Sequence, residues 1–167
     1  IQTLIKKNNC KTMLDYGSGK GDFYFEERNF NNTIFPPLKD FWNIQPTLYD
    51  PGISKLNKPI NKKFDIVISI DVLEHIPLQD LNWVISEILS FSKNIVFINV
   101  ACYPADIMLD DGRNAHISLF PPMWWYGFIS ALSSKYNLKI FLVCSTFENK
   151  KIKYFSFGIN DDLKNYQ

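Results

Sequence analysis

The sequence predicts an α/β fold in a single domain spanning 1–167, with a sheet that is parallel for most of its width and closed by an antiparallel hairpin. Three observations carry this. "FDIVISID" (64–71) and "NIVFINV" (94–100) are runs rich in β-branched residues with the look of strands buried on both faces. A segment of helical period, Leu81, Val84, Ile85, Ile88 and Leu89, separates them. Two more apolar runs, "KIFLVCST" and "KYFSFGIN", end the chain and are joined by the short polar "FENKK".

The remaining elements follow in order. "TMLDY" (12–16) reads as a short buried strand, and the glycine turn "GSGKG" comes directly after it. "DFYFEERNF" is expected to enter a helix from that turn. "TIFPPLKDFWNIQP" holds Pro36, Pro37 and Pro46, which favour a loop. "TLYD" is a second short strand, stopped by Pro51-Gly52. Asp80 is placed to cap the start of the helix that carries Leu81, Val84, Ile85, Ile88 and Leu89. Pro121-Pro122 suit a helix start, and Trp125, Phe128, Ile129 and Leu132 give that helix one apolar stripe.

Composition narrows the function classes. Hydrophobic residues make up 46% of 167, the formal net charge is +1, and no Lys/Arg run could track a phosphate backbone, so nucleic-acid binding gains no support. The three cysteines, Cys10, Cys102 and Cys144, are scattered and odd in number, which suits a reducing cytoplasm better than a disulfide framework. No apolar stretch is long enough for a bilayer span, and no signal-peptide pattern is visible. The chain begins at Ile1, which leaves room for a preceding segment.

Three of only seven glycines stand at Gly17, Gly19 and Gly21, after a strand ending in Asp15-Tyr16. In open α/β sheets a ligand lies outside the strands' carboxyl ends, so a turn free of side chains there lets it approach the backbone. Glycine for the turn's own geometry explains a lone motif as well. A dinucleotide fingerprint requires a third glycine at position 22, where Asp22 stands. The pattern Asp15-x-Gly17-x-Gly19-x-Gly21 instead resembles the first motif of class I S-adenosylmethionine-dependent methyltransferases. "LYDPG", "FDIVISIDVLEHIP" and "NIVFINV" are similar to that family's second, fourth and fifth strands, in the same order. The final hairpin is similar to its last two strands, so the likeness covers roughly residues 10 to 160. The segment "ACYPADIMLDDGRNAH" also resembles bacterial and phage members without an assigned substrate. Only thirteen residues separate Asp50 from Phe64, too few for a further strand with its helices, so the family's third, edge strand is expected to be missing.

The resemblance implies a Rossmann-like methyltransferase sheet with S-adenosylmethionine as cofactor; small size without an added recognition domain favours a small-molecule or sugar acceptor, and composition indicates no membrane or nucleic-acid partner. The resemblance places Asp15, Tyr16, Gly17, Ser18, Gly19 and Gly21 along the cofactor. Asp50 would take the ribose hydroxyls, and Pro51 and Ile53 would support adenine. Asp71 would face the methionine end, with backbone contacts from Ile70 and Val72. Asp15 could equally bond N–H groups of its own turn. In "LEH", Glu74 and His75 could pack near the cofactor, or His75 could act as a general base. His116, the only other histidine, stands with Asp111 and Arg113 in a polar segment that the family's geometry would put over the methyl-donor pocket. These three are substrate-side candidates or residues of a solvated loop. Tyr103 or Trp124 could line an acceptor pocket. Segment 102–120 shows no sustained period and is expected to be a mobile loop. Metal-ligand spacing, a nucleophile elbow and a P-loop are all missing from the sequence. A cofactor-binding protein without catalysis remains the alternative from another class.

Overall fold

A computed structural model describes residues 1–166. Its frame is a six-stranded sheet in the order β4-β1-β5-β6-β7-β8. The strands are β1 (Thr12–Tyr16), β4 (Gln45–Tyr49), β5 (Phe64–Ile70), β6 (Ser92–Ala101), β7 (Lys139–Glu148) and β8 (Lys151–Ile159). All pairs are parallel except β7 with β8. The first five strands follow the doubly wound Rossmann-like order with its third strand missing. β4 is therefore the sheet edge, which is where Pro46 can sit within a strand without breaking a ladder bond.

Helices cover both faces unequally. On one face α3 (Leu78–Ser90) and α4 (Pro122–Ser133) pack Leu81, Val84, Ile85, Ile88, Trp125 and Ile129 against β-strand residues such as Val67, Val96, Ile98, Ile140 and Leu142. A bulge between Phe64 and Ile66 puts Phe64 and Val67, three apart, on this same face. The opposite face carries a thinner cover. There α1 (Gln2–Lys7), which the sequence did not announce, brings Leu4 and Ile5 onto Met13, Ile66 and Ile95, while Tyr24 and Ile44 close the side near β1.

Four expectations need correction. No helix leaves the glycine turn: a single 3-10 turn, Asp22–Tyr24, is followed by a hairpin of β2 (Arg28–Phe30) and β3 (Thr33–Phe35). Asn31 and Asn32 both take positive φ, 48° and 62°, the geometry of a two-residue hairpin turn, and this local preference overrides helix formation among the preceding aromatics. Within the expected loop 33–46, besides β3, a short α2 (Leu38–Trp42) forms after Pro36-Pro37. Asp80 does not cap α3, whose N-cap is Pro77; it lies in the first turn and accepts a bond from Trp83 Nε1 at 3.1 Å. The hairpin β7–β8 turns on Asn149-Lys150 alone (φ 50° and 59°), so both strands run further into "FENKK" than the polar composition implied.

Candidate functional site

The chain reverses direction across the sheet between β1 and β5, and the glycine turn and Asp71 flank that point at the carboxyl ends. The turn is held from below by β4. Tyr49 O accepts the N–H groups of Gly17 (2.8 Å) and Ser18 (3.1 Å), and Asp50 Oδ2 accepts that of Gly19 (2.8 Å). Asp50 Oδ1 takes the Gly52 N–H at 2.8 Å. Asp50 thus fastens two turns, and each of its oxygens keeps a second lone pair for a ligand.

The glycines divide by what surrounds them. A Cβ at Gly17 would stand 2.4 Å from Val72 Cγ2, so Val72 fills that space itself. At Gly19, with φ +56°, a Cβ would meet no heavy atom within 4 Å. Gly19 is therefore the open face of the turn. Tyr16 alternates into the core, 4% exposed, where its hydroxyl donates to Glu87, leaving only its backbone at the turn. Asp15 faces the other way and is 8% exposed. It accepts the Tyr24 hydroxyl at 2.8 Å rather than an N–H of its turn. Burial pushes its carboxyl up to about 6 against the Tyr24 bond, and the negative Asp50 adds to the rise. Pro51 is exposed and Ile53 half-buried beside the turn.

Asp71 takes a positive φ of 53°, a strained conformation for a non-glycine residue, just past the end of β5. Its N–H donates to Asn99 O at 3.2 Å. Desolvation raises its carboxyl while His116 and His75 oppose the rise, which puts Asp71 within electrostatic reach of both rings. Ile70, 36% exposed, and half-buried Val72 frame it.

The two histidines, 41 residues apart in sequence, meet with ring centroids 4.7 Å apart and planes at 79°. His75 Nδ1 lies 2.9 Å from Ala115 O, and His116 Nδ1 lies 2.6 Å from Tyr103 O. A carbonyl can only accept, so each neutral ring carries its proton on Nδ1 and leaves the Nε2 lone pair available. Both rings line a cleft of about 530 Å³, together with Tyr103, Asp106, Phe147 and Ile152. That volume suits a small ligand. A more open depression of about 470 Å³ beside Tyr126 and Phe157 is bordered by the end of β8, hence lies at the amino ends of the parallel strands, away from these groups.

Segment 102–120 is irregular, as expected, yet it is tied at its base. Asn114 bonds both ways with Ala105 at 2.9 Å, Ser118 N–H donates to Glu74 O, and Ser118 Oγ donates to Ile76 O. The tip at Ile107–Leu109 is exposed yet also pinned, since Ile107 O accepts the Ala115 N–H at 3.0 Å and the Leu109 N–H donates to Arg113 O at 2.8 Å. Arg113 and Asp111 pair with each other on the loop's exposed side (2.6 Å) and do not line the cleft. Trp124 stacks between Phe120 and Phe128 at 3.9 and 4.8 Å and does not line it either.

Glu74 was only a neighbour of His75 in the sequence, but it is the most buried charged group of the site, at 0% exposure. Oε1 accepts the Ala101 N–H at 2.8 Å, and Oε2 has no partner. This burial is not legible in the motif itself, because it depends on β6 and Ser118 closing over a polar stretch. Burial pushes the carboxyl up to about 7; the Glu74 and Ala101 N–H groups act against that, Asp71 adds to it and His116 opposes it. A folded-state pKa above the usual value means that the folded chain holds the proton more tightly. The stability this gives is complete below about pH 4.5 and is lost as pH rises through 7. Asp15 acts with the same sign up to about pH 6. Urea unfolding should therefore show stability falling from pH 5 to pH 8, with about 2–3 kcal/mol of the fall due to Glu74. Glu74→Gln should flatten the profile; an unaltered slope in that variant refutes the assignment.

The chain matches no family model, no curated protein and no solved structure. Its function is thus argued from the site alone. Among the described residues no helix is long and apolar enough to cross a membrane, and no group of three or more His, Cys, Asp or Glu is placed to hold a metal ion.

Proposed function

We propose that the chain is an S-adenosylmethionine-dependent methyltransferase acting on a small-molecule acceptor. The observation that carries this reading is the glycine turn: open at Gly19, flanked by Asp15, Asp50 and Asp71, with the N–H groups of Gly17, Ser18 and Gly19 already bonded to Tyr49 and Asp50. A pyrophosphate is favoured by free N–H groups at a helix N-terminus; here the N–H groups of Gly17, Ser18 and Gly19 are spent, and no α-helix but a single 3-10 turn, Asp22–Tyr24, follows. A cationic adenosyl ligand needs carboxylates and room against the backbone, and both are offered. The residues present therefore fit S-adenosylmethionine better than a dinucleotide.

When bound, S-adenosylmethionine would supply a methyl group already activated by the sulfonium charge. The chain's own work is positioning and exclusion of water. Asp50 would bind the ribose hydroxyls while keeping the turn in shape. Asp71 and Asp15 would favour the cationic end. His116, its Nδ1 held on Tyr103 O and its Nε2 turned to the cleft, would take a proton from an acceptor hydroxyl, with His75 packed edge-on beside it.

Asp50→Ala removes ribose acceptors and loosens two turns, so affinity for S-adenosylhomocysteine should fall at least about tenfold in a folded variant. Unchanged affinity removes Asp50 from the ribose. Catalysis is separable from binding: purified protein with methyl-labelled donor and cell extract should yield S-adenosylhomocysteine. Donor binding with no product from any extract would favour a binding protein of the same fold.

A further inference from the structure

We propose, building on the methyltransferase reading, that the cleft between segment 103–116 and the tip of the β7–β8 hairpin takes a neutral aromatic compound bearing a hydroxyl group, a phenol, as the methyl acceptor. The first argument is shape and surface. The 530 Å³ space holds one or two fused rings, and the Tyr103 and Phe147 rings stand 6.1 Å apart at 44° as walls, with Ile152 beside them.

The second argument is charge. No Lys or Arg lines the cleft. Arg113 is paired with Asp111, Lys153 is paired with Glu148, and Lys150 and Lys151 at the hairpin tip stay outside. The polar lining is the two imidazoles, the Tyr103 hydroxyl and Asp106, and Asp71 acts electrostatically on the same two rings. An anionic acceptor finds no cation and meets carboxylates. A sugar would leave most of its hydroxyls without partners in so apolar a space.

The third argument is proton chemistry. A phenol ionises near pH 10, within reach of an imidazole base, whereas an aliphatic hydroxyl lies far above it. The phenolic O–H gives its proton to His116 Nε2, the oxygen lone pair forms the O–CH₃ bond, and the electron pair of the broken S–CH₃ bond stays on the donor sulfur. Histidine becomes imidazolium and the sulfonium becomes a neutral thioether, so charge and atoms balance.

The test is a ¹⁹F NMR titration of the whole protein with 6-fluoro-2-naphthol, 6-fluoro-2-naphthoate and 2-fluoro-6-methylnaphthalene, without and with S-adenosylhomocysteine. The naphthol should bind at least about tenfold more tightly than the naphthoate, because the carboxylate lacks a counter-charge. Phe147→Ala, at a 55% exposed position that the fold tolerates, should weaken the naphthol about 3–10-fold. His116→Ala should weaken the naphthol and leave the methyl compound unchanged. Equal or tighter binding of the naphthoate, or indifference of the naphthol to Phe147→Ala, overturns the proposal while leaving donor binding intact. The naphthol pattern without any S-adenosylhomocysteine binding has the opposite meaning: it overturns the acceptor role and the methyltransferase reading together, and the phenol is then a ligand only.

Discussion

Gly19→Val should abolish measurable binding of S-adenosylhomocysteine, a loss of at least about 100-fold, in a protein that still folds. No protein atom lies within 4 Å of the new Cβ, so the substitution creates no internal clash. Its structural cost is the positive φ of 56°, about 1–2 kcal/mol for a residue with a Cβ. The valine methyls would occupy the space that the ligand is to use against the turn. Gly17→Ala is the contrasting variant. There φ is +81° and the stiff, β-branched Val72 stands 2.4 Å away, so unfolding stability should drop by about 2–4 kcal/mol. Thermal melts and calorimetry on the two variants separate a ligand-facing glycine from a packing glycine. Tight binding by Gly19→Val means that the glycines serve only the turn.

His116→Ala should lower turnover about 10²–10⁴-fold once an acceptor is in hand, with donor affinity nearly unchanged. The ring lines the cleft, and its Nδ1 is held by Tyr103 O at 2.6 Å. Glutamine in its place could keep a hydrogen bond but could not accept the proton, so His116→Gln should be nearly as impaired. Arg113→Ala, facing away in its pair with Asp111, should leave turnover close to the parent value. Full activity in His116→Ala moves the base elsewhere, first to His75.

The strands were legible because burial on both faces writes itself as uninterrupted β-branched runs: β5 and β6 stand where "FDIVISI" and "NIVFINV" predict them. That no strand forms between β4 and β5 was legible in the thirteen residues between Asp50 and Phe64, set against the pattern of the resembled family. What was not legible depended on local turn chemistry or on tertiary closure. Asn31-Asn32 directs a hairpin where aromatic residues and glutamates at 22–30 suggested a helix. Ile1 to Lys7 has one apolar pair, Leu4-Ile5, and becomes a helix only by resting it on β1 and β5 residues. In the site, the carboxyl-end residues Asp15, Gly19, Asp50 and Asp71 come together as the sheet order requires. The histidine pair was named residue by residue, but its contact needed segment 102–120 to fold back onto the turn at 73–75. Glu74 was named beside His75, but nothing in the sequence announces its orphaned carboxylate oxygen; Phe147 and Ile152 gave no signal, because the height of a hairpin above a sheet is not written there.

One titration tests the central claim most directly: isothermal calorimetry of the intact chain with S-adenosylhomocysteine and, separately, with NADH. A turn with the Gly17, Ser18 and Gly19 N–H groups spent and carboxylates beside it predicts saturable binding of S-adenosylhomocysteine at one site per chain and no measurable heat from the dinucleotide. Binding of NADH, with none for S-adenosylhomocysteine, contradicts the account and assigns the same sheet to a different cofactor.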